Sequence, residues 1–463
     1  MLRLGDLIAL EAMKEPHGRE RPNSDQSLLP PELLRFLNRS SYALLIKGGA
    51  ATGKTILALS ILKEVGATGN YLYLSTRVSP SELFENHPWL TDFTKIKPSD
   101  LEDSAEVQRG ARFVDARLDE PVPFFERITD ELMDVRAPTI FVDSWDPIGV
   151  MMEEDALISN TKVLQTWRER ARAKIIILME DSDNTTFDSL VDGVVTLDKY
   201  YEDGRIVRLM QLSKLSGVKV NRPSHLFTLD GGVFQSFRTY SPLEIAAQKP
   251  VGWTWEKRVR STGYPELDSM FDKTLPSGTI MSLNLADGVN VGMVLLLLSG
   301  IIGRGAPRSR AMFFKPFEGV GLGQARAALG DVIPIQQVVP LGRGEGSEGW
   351  AEALRDQVRQ QKDGGHGKKV VALFGSEFLL GAGGEDGRAL LLELMKSEID
   401  LSVIVSASET SLQSAARVSD VSLKLSEKNG SPILQAQLPW TEYFVMSVMA
   451  NHNHTTVGLV PMV

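Results

Sequence analysis

The chain has 463 residues, 43% of them apolar, which at roughly 150 residues per domain is enough for two buried cores. Its 50 Lys and Arg against 59 Asp and Glu leave a net charge of −9, a field that repels a phosphate backbone and disfavours a constitutive nucleic-acid binder. With no cysteine and only six histidines, disulfide scaffolds, thiolate nucleophiles, iron–sulfur clusters and cysteine-based zinc sites are excluded.

Residues 1–27 read as an N-terminal arm: Asp6, Glu11 and Glu15 interrupt its apolar stretch, and PHGRERPNSDQSLLPP is rich in Pro, Asn and Ser. The longest apolar run elsewhere, Met293 to Leu298, falls far short of the roughly 20 residues of a membrane span, so a cytoplasmic protein without a membrane partner is expected. From Tyr42, short apolar runs (YALLIK, YLYLS, TIFVDS, KIIILME) alternate with helix-length periodic segments such as ILALSILKEV and ISNTKVLQTWRERARA. Unbroken Val/Ile/Leu strands alternating with helices predict βαβ units and an α/β fold, a mainly parallel sheet flanked by helices. VVTLDKYYEDGRIVRLMQLSK then reads as two alternating strands turning at Glu202-Asp203-Gly204, an antiparallel edge. Pattern fades over 239–260, which is taken as a linker between a first domain, 28–238, and a second, 261–463.

The second domain overlays the first. TIMSLNLADGVNVGMVLLLLSGI takes the place of ALLIKGGAATGKTILALSIL, and KKVVALFGSEFLL that of PTIFVDSWDPIGV. LSVIVSASETSLQSAARVSDVSLKL takes the place of KIIILMEDSDNTTFDSLVDGVVTL. Positions 48 and 286, 143 and 375, and 192 and 420 lie 238, 232 and 228 residues apart, a drift of loop size only. The expectation is two tandem copies of one α/β unit.

Gly48-Gly49-Ala50-Ala51-Thr52-Gly53-Lys54-Thr55 satisfies G-x-x-x-x-G-K-[ST] between a predicted strand, Leu44 to Lys47, and a predicted helix, Ile56 to Val65. Small residues are needed because successive backbone N–H groups must turn inward around a phosphate, and a large side chain would crowd the anion. Lys54 is placed for the β- and γ-phosphates of ATP, and Thr55 for Mg²⁺. Asp143 closes the predicted strand Thr139 to Val142 and is assigned to the same Mg²⁺. Asp146 reads equally well as a helix cap. In the second copy Gly292 and Met293 stand where lysine and hydroxyl belong, and Gly375 replaces the strand-end aspartate, so that copy is not expected to bind a triphosphate.

The strings GGAATGKT, YLYLSTRVSPSELF, TIFVDSWDPI, LVDGVVTL, GRIVRLMQLSKLSG, FTLDGGVF and STGYPELDSMF resemble the KaiC-like branch of the RecA superfamily. Within it, SLLPPELLRFLNRSSYALLIKG with LSTRVSPSELFENHPWL most resembles archaeal gas-vesicle regulators of the GvpD type. The resemblance implies two tandem RecA-like domains, ATP with Mg²⁺, and a glutamate pair after the second strand that activates water. Here that stretch reads Ser75-Thr76-Arg77-Val78-Ser79-Pro80, so the general base is missing, and hydrolysis is expected to be slow. Glu180 and Asp181 are the nearest substitute carboxylates, although a solvated acidic loop is the simpler reading. The branch also carries a Lys-x-Arg-Gly string that reaches a neighbouring subunit's phosphate; Lys214-Leu215-Ser216-Gly217 keeps the lysine for such a role in trans within a homo-oligomer and lacks the arginine.

Three further signals read blandly. The basic runs 168–174 and 255–260 read as a solvated face and an interdomain segment. Asn451-His452-Asn453-His454 reads as a tail, and Tyr71, Tyr73, Phe84 and Trp89 read as core. The leading expectation is a nucleotide-responsive regulator, a weak ATPase at most, that controls a protein partner. The alternatives are a recombination-mediator-like DNA repair ATPase and an RNA- or ribosome-associated factor.

Overall fold

The computed structural model describes residues 28–463 except 66–69, 95–110, 118–127, 129–136, 151–167, 181–184, 186, 238–261, 263, 269–274, 306–308, 318, 330–337, 341–349, 364–368, 381–383, 408–414 and 452–453. The N-terminal arm, the 239–260 linker, the basic run 255–260 and Asp181 therefore lie outside the described residues.

The first copy supplies β1 (Tyr42–Lys47), β2 (Tyr71–Ser75), β3 (Ala111–Asp115), β4 (Thr139–Asp143), β5 (Lys174–Met179), β6 (Gly193–Glu202), β7 (Arg205–Leu215), β8 (Ser224–Thr228) and β9 (Gln235–Ser236). The second supplies β10 (Thr279–Leu285), β11 (Ser309–Phe314), β12 (Val338–Pro340), β13 (Lys369–Gly375), β14 (Leu401–Ser406), β15 (Val421–Lys428), β16 (Ser431–Leu438), β17 (Phe444–Asn451) and β18 (His454–Pro461). The two sheets have the orders β3-β2-β4-β5-β1-β6-β7-β8-β9 and β12-β11-β13-β14-β10-β15-β16-β17-β18, the same permutation twice. Both are parallel through the sixth strand and antiparallel beyond it, an arrangement consistent with two tandem RecA-like α/β domains.

Equivalent hydrogen bonds repeat with the strands. Asp192 Oδ2 accepts from the Ala43 N–H at 2.9 Å, and Asp420 Oδ2 accepts from the Ile280 N–H at 2.8 Å. Arg168 donates to Asp192 at 2.8 Å, and Lys396 donates to Asp420 at 2.5 Å. In each copy one carboxylate thus ties the first strand to the entry of the sixth and is itself neutralised by a cation. Arg168, part of the solvated-face reading, is therefore committed within the fold.

The first sheet buries both faces, as its unbroken apolar strands require. Leu44, Ile46, Tyr73, Phe141 and Ile176 pack on one side with Leu57, Ala58, Ile61 and Leu62 of the helix Lys54–Val65. That spacing is a 3.6-residue stripe, and each fully buried leucine contributes about 1.5–3 kcal/mol. Leu45, Leu74, Val142, Ile175 and Ile177 pack on the other side with Trp145 and Phe187. The β6–β7 turn is Asp203-Gly204, both at positive φ (50° and 72°), which is the twist a two-residue hairpin needs. Asn451 pairs with His454 at the β17–β18 turn, so the predicted tail is instead a hairpin; its partner strand lies in the preceding residues, beyond the reach of a local composition argument.

The two copies meet through β7, β8 and the last strands of the second sheet. Val207, Leu226 and Phe237 pack with Ile433, Tyr443, Val445 and Met462. Arg205 donates to the Thr441 and Ala436 carbonyls at 2.6 and 3.0 Å.

Candidate functional site

The loop between β1 and the helix Lys54–Val65 is shaped by backbone conformations that restrict its residues. Gly53 has φ 104° and Gly48 φ 157°; a Cβ on Gly48 would lie 2.5 Å from the Leu197 carbonyl oxygen and 2.7 Å from Thr52 Oγ1. A Cβ on Gly53 would strike the Leu229 side chain at 2.8 Å. The loop is thus a cradle only glycine can close at these positions, while Gly49 has open space beside it. Ala51 holds a left-handed φ of 58°, uncommon for alanine.

Lys54 Nζ donates to the Gly48 and Gly49 carbonyls at 2.7 and 2.9 Å, folding its ammonium over the cradle. Burial lowers its pKa, opposed by the Glu180, Asp146 and Asp143 carboxylates. Asp143, 8% exposed at the end of β4, accepts a 2.6 Å hydrogen bond from Tyr73 OH. Burial pushes its pKa above the usual carboxylate range, opposed by hydrogen bonds from Tyr73 and Thr55 and by the charges of Lys54 and Arg77. Thr55 and Asp143 are therefore adjacent, as an oxygen pair for Mg²⁺ requires, and the small cradle, its lysine and the positive end of the helix suit a polyphosphate. Residues and cofactor are chemically matched.

The stretch that lacks the expected glutamates is occupied differently. Thr76 Oγ1 accepts from the Ser144 N–H and donates to its carbonyl, both at 2.7 Å, stapling the end of β2 to the end of β4. Arg77 reaches into the site and forms an ion pair with Glu180, whose Oε1 also lies 4.0 Å from Lys54 Nζ. The hydrogen bond from Arg77 leads the lowering of the Glu180 pKa. Asp146 heads the helix Asp146–Gly149, and both its carboxylate oxygens accept from the Glu180 N–H at 3.0 Å. Glu180 is consequently not part of a free acidic loop: β4 and β5 are neighbours, and Asp146 fixes the turn that carries it. Lys214 stands apart, its Nζ donating to the Asp188 carbonyl at 2.8 Å, while Lys47 pairs with the Asp188 carboxylate at 3.0 Å.

Residues 34–213 match the family model described as GvpD gas vesicle protein, P-loop domain. This stretch is similar to a GvpD P-loop domain. A relative with the printed name Protein GvpD2, from Halobacterium salinarum, is 26% identical over 278 residues, covering 55% of this chain and 54% of that protein. The match thus spans about half the length of the relative. The GvpD-like segment ends inside β7, so β8, β9 and the whole second sheet fall outside the family model.

At the counterpart positions of the second copy the chain's own groups stand where ligand-binding residues would be. Asn290 Oδ1 accepts from the Gly292 N–H at 2.8 Å, capping the helix Val291–Gly305 with the chain's own side chain. Met293 is 3% exposed and joins the core. Beside Gly375 lie the Glu377 carboxylate and Phe317, so the strand end carries no acidic side chain of its own and is crowded by the Phe317 Cβ. Among the described residues no cluster of three His, Asp or Glu is placed to hold a metal, and no helix is long and apolar enough to cross a membrane.

Two residues of the first site were not singled out for it in the sequence. Tyr73 is stacked between Phe113 and Phe141 as a core residue should be, but its hydroxyl serves Asp143. Arg208 backs the loop from β7, donating to the Ala51 and Thr52 carbonyls. The alternating strand gave Tyr73 a buried face; only the β2–β4 pairing, Ser75 opposite Asp143, brings the two together.

Proposed function

We propose that the chain is a nucleotide switch: the first copy binds one Mg·ATP, hydrolyses it slowly, and uses the bound state to control a protein partner, in the manner of a gas-vesicle regulator. The observation that carries this reading is Arg77 paired with Glu180 beside an otherwise complete phosphate and magnesium site. Mg²⁺ neutralises phosphate charge when bound. Lys54 supplies a further cation to the phosphates, the loop N–H groups orient them, and Thr55 and Asp143 hold the metal. Among the described residues Glu180 is the carboxylate that forms an ion pair with Lys54, at 4.0 Å, which suits it to accept a proton from water, and the Arg77 pair holds it in its weakly basic, ionised form.

Phosphate release under saturating Mg·ATP tests the reading. Turnover below about 1 s⁻¹ with clear nucleotide binding supports a switch. Faster turnover abolished by Glu180→Gln makes the protein an ordinary ATPase with a relocated base. Salt-sensitive retention on DNA or RNA, against the net charge of −9, favours the nucleic-acid alternatives.

A further inference from the structure

Arg208 is buried, 8% exposed, and its guanidinium joins two loop carbonyls of the first copy to the main-chain oxygen of Val463 in the second. Nη1 donates to Ala51 O at 3.0 Å and Thr52 O at 3.3 Å, and Nε donates to Val463 O at 2.5 Å. Among the described residues no Asp or Glu side chain forms an ion pair with it, and burial lowers its pKa. A guanidinium remains charged under these conditions, so the fold carries a buried cation directly behind the phosphate-binding loop.

The two loop carbonyls belong to the peptide units whose N–H groups are those of Thr52 and Gly53. A donor that draws these carbonyls outward turns the N–H groups inward, toward the position of the anion. Arg208 also bonds the carbonyl of Ala51, the residue held at left-handed φ, which keeps an uncommon backbone conformation in place. Its third acceptor belongs to the second copy. There the segment 461–463 is seated against the first copy by Thr228 Oγ1 donating to Pro461 O at 2.6 Å and by Met462 packing with Val207 and Leu226. Met462 N–H donates to Tyr443 O at 2.8 Å, so the segment is continuous with β17. Register identifies the matching position of the second copy: Lys199 faces Arg208 as Glu427 faces Pro432, so a proline backs the counterpart loop.

The geometry points to Arg208 as a positioning residue that couples nucleotide binding in the first copy to docking of segment 461–463 of the second. This rests on the nucleotide reading above. The second copy, though it has lost its own site, then reports and tunes occupancy of the first. Because the linkage is reciprocal, whatever loosens the segment must weaken nucleotide binding by the factor with which nucleotide tightens the segment.

The test uses the full chain, Mg·ATP affinity by equilibrium dialysis, and amide-hydrogen exchange over residues 455–463. In wild type, Mg·ATP slows exchange of this segment about fivefold or more. Arg208→Met, which keeps the buried volume and removes the donors, weakens Mg·ATP binding about tenfold or more and abolishes the exchange response. Arg208→Lys, with one cationic donor, restores part of both. Thr228→Val removes the donor to Pro461 O and a 3.2 Å acceptor for the Asp230 N–H, with no direct bond to the loop lost; it speeds segment exchange and weakens Mg·ATP binding, and it carries the test alone where Arg208→Met does not fold. A wild type that binds no Mg·ATP overturns the nucleotide reading and the coupling together. A wild type that binds it with unaltered exchange at 455–463, or a loosened Thr228→Val with wild-type affinity, overturns the coupling only.

Discussion

Removing the Lys54 ammonium should cost nucleotide affinity and little else. Among the described residues Lys54 Nζ bonds to the Gly48 and Gly49 carbonyls, with Glu180 at 4.0 Å, and burial already disfavours its charged form. Lys54→Ala therefore loses two hydrogen bonds, about 1 kcal/mol each net, and recovers a desolvation cost of similar size, so thermal stability without ligand should stay close to wild type. With nucleotide the lost group is a charge-assisted donor to phosphate, worth about 1.5–3 kcal/mol, or roughly 10- to 150-fold in affinity. A ligand at 100 times its Kd stabilises by about 2.7 kcal/mol; at the same concentration the variant retains about 0.3–1.4 kcal/mol. A thermal-shift titration with Mg·ATP reads this directly. Equal stabilisation of variant and wild type would falsify the placement of phosphate at Lys54.

Asp143→Asn should remove Mg²⁺-dependent stabilisation by ATP while leaving the ligand-free protein as stable as wild type or more so at neutral pH. Burial raises the folded pKa of Asp143 above 3.8, so wild type gains stability from this group as pH falls through that raised value, and the variant should lack this contribution to a Tm-against-pH profile. A variant that melts well below wild type at pH 7 contradicts the assignment. Equilibrium dialysis should count one Mg·ATP per chain, two equivalent tight sites being incompatible with Asn290, Met293 and Glu377 as placed. Arg77→Gln should raise phosphate release about tenfold or more by freeing Glu180, with the 10²–10⁴-fold of a well-positioned base as the upper range, and Glu180→Gln on that background should abolish the gain. The same carboxylate cannot be restored at Thr76 without breaking its two bonds to Ser144; no gain from Arg77→Gln means Glu180 is not a latent base.

What was legible in the sequence is what consecutive residues encode. The loop from Gly48 to Thr55 and the strand-end Asp143 follow from spacing within short windows, the tandem repeat follows from matching such windows 228 to 238 residues apart, and the Asp192 and Asp420 contacts show how closely the copies correspond. What escaped depends on which strands become neighbours. Arg77 meets Glu180 across 103 positions, Tyr73 meets Asp143 across 70, and Arg208 meets Thr52 across 156. Once β4 is known to lie between β2 and β5, Glu180 passes from an acidic loop to the partner of Arg77. Likewise the Asn451–His454 stretch looks polar and terminal until β17 and β18 pair around it.

The contrast between the copies bears on why one site survived. Each lost ligand in the second copy was replaced by a group that satisfies the structure internally: Asn290 caps the helix that an anion would otherwise cap, Met293 fills core, and Glu377 occupies the space beside Gly375. Such changes trade a ligand-dependent surface for ligand-independent packing. The first copy keeps the opposite character, with a buried Asp143 that gains from a metal, a Lys54 curled onto its own loop, and a buried Arg208 behind the cradle. On the proposed switch reading, the cations and the anion held close to one another there make the first copy the element that responds to ligand. The proposed coupling would then carry that response into segment 461–463 of the second copy, which Arg208 and Thr228 hold to the first.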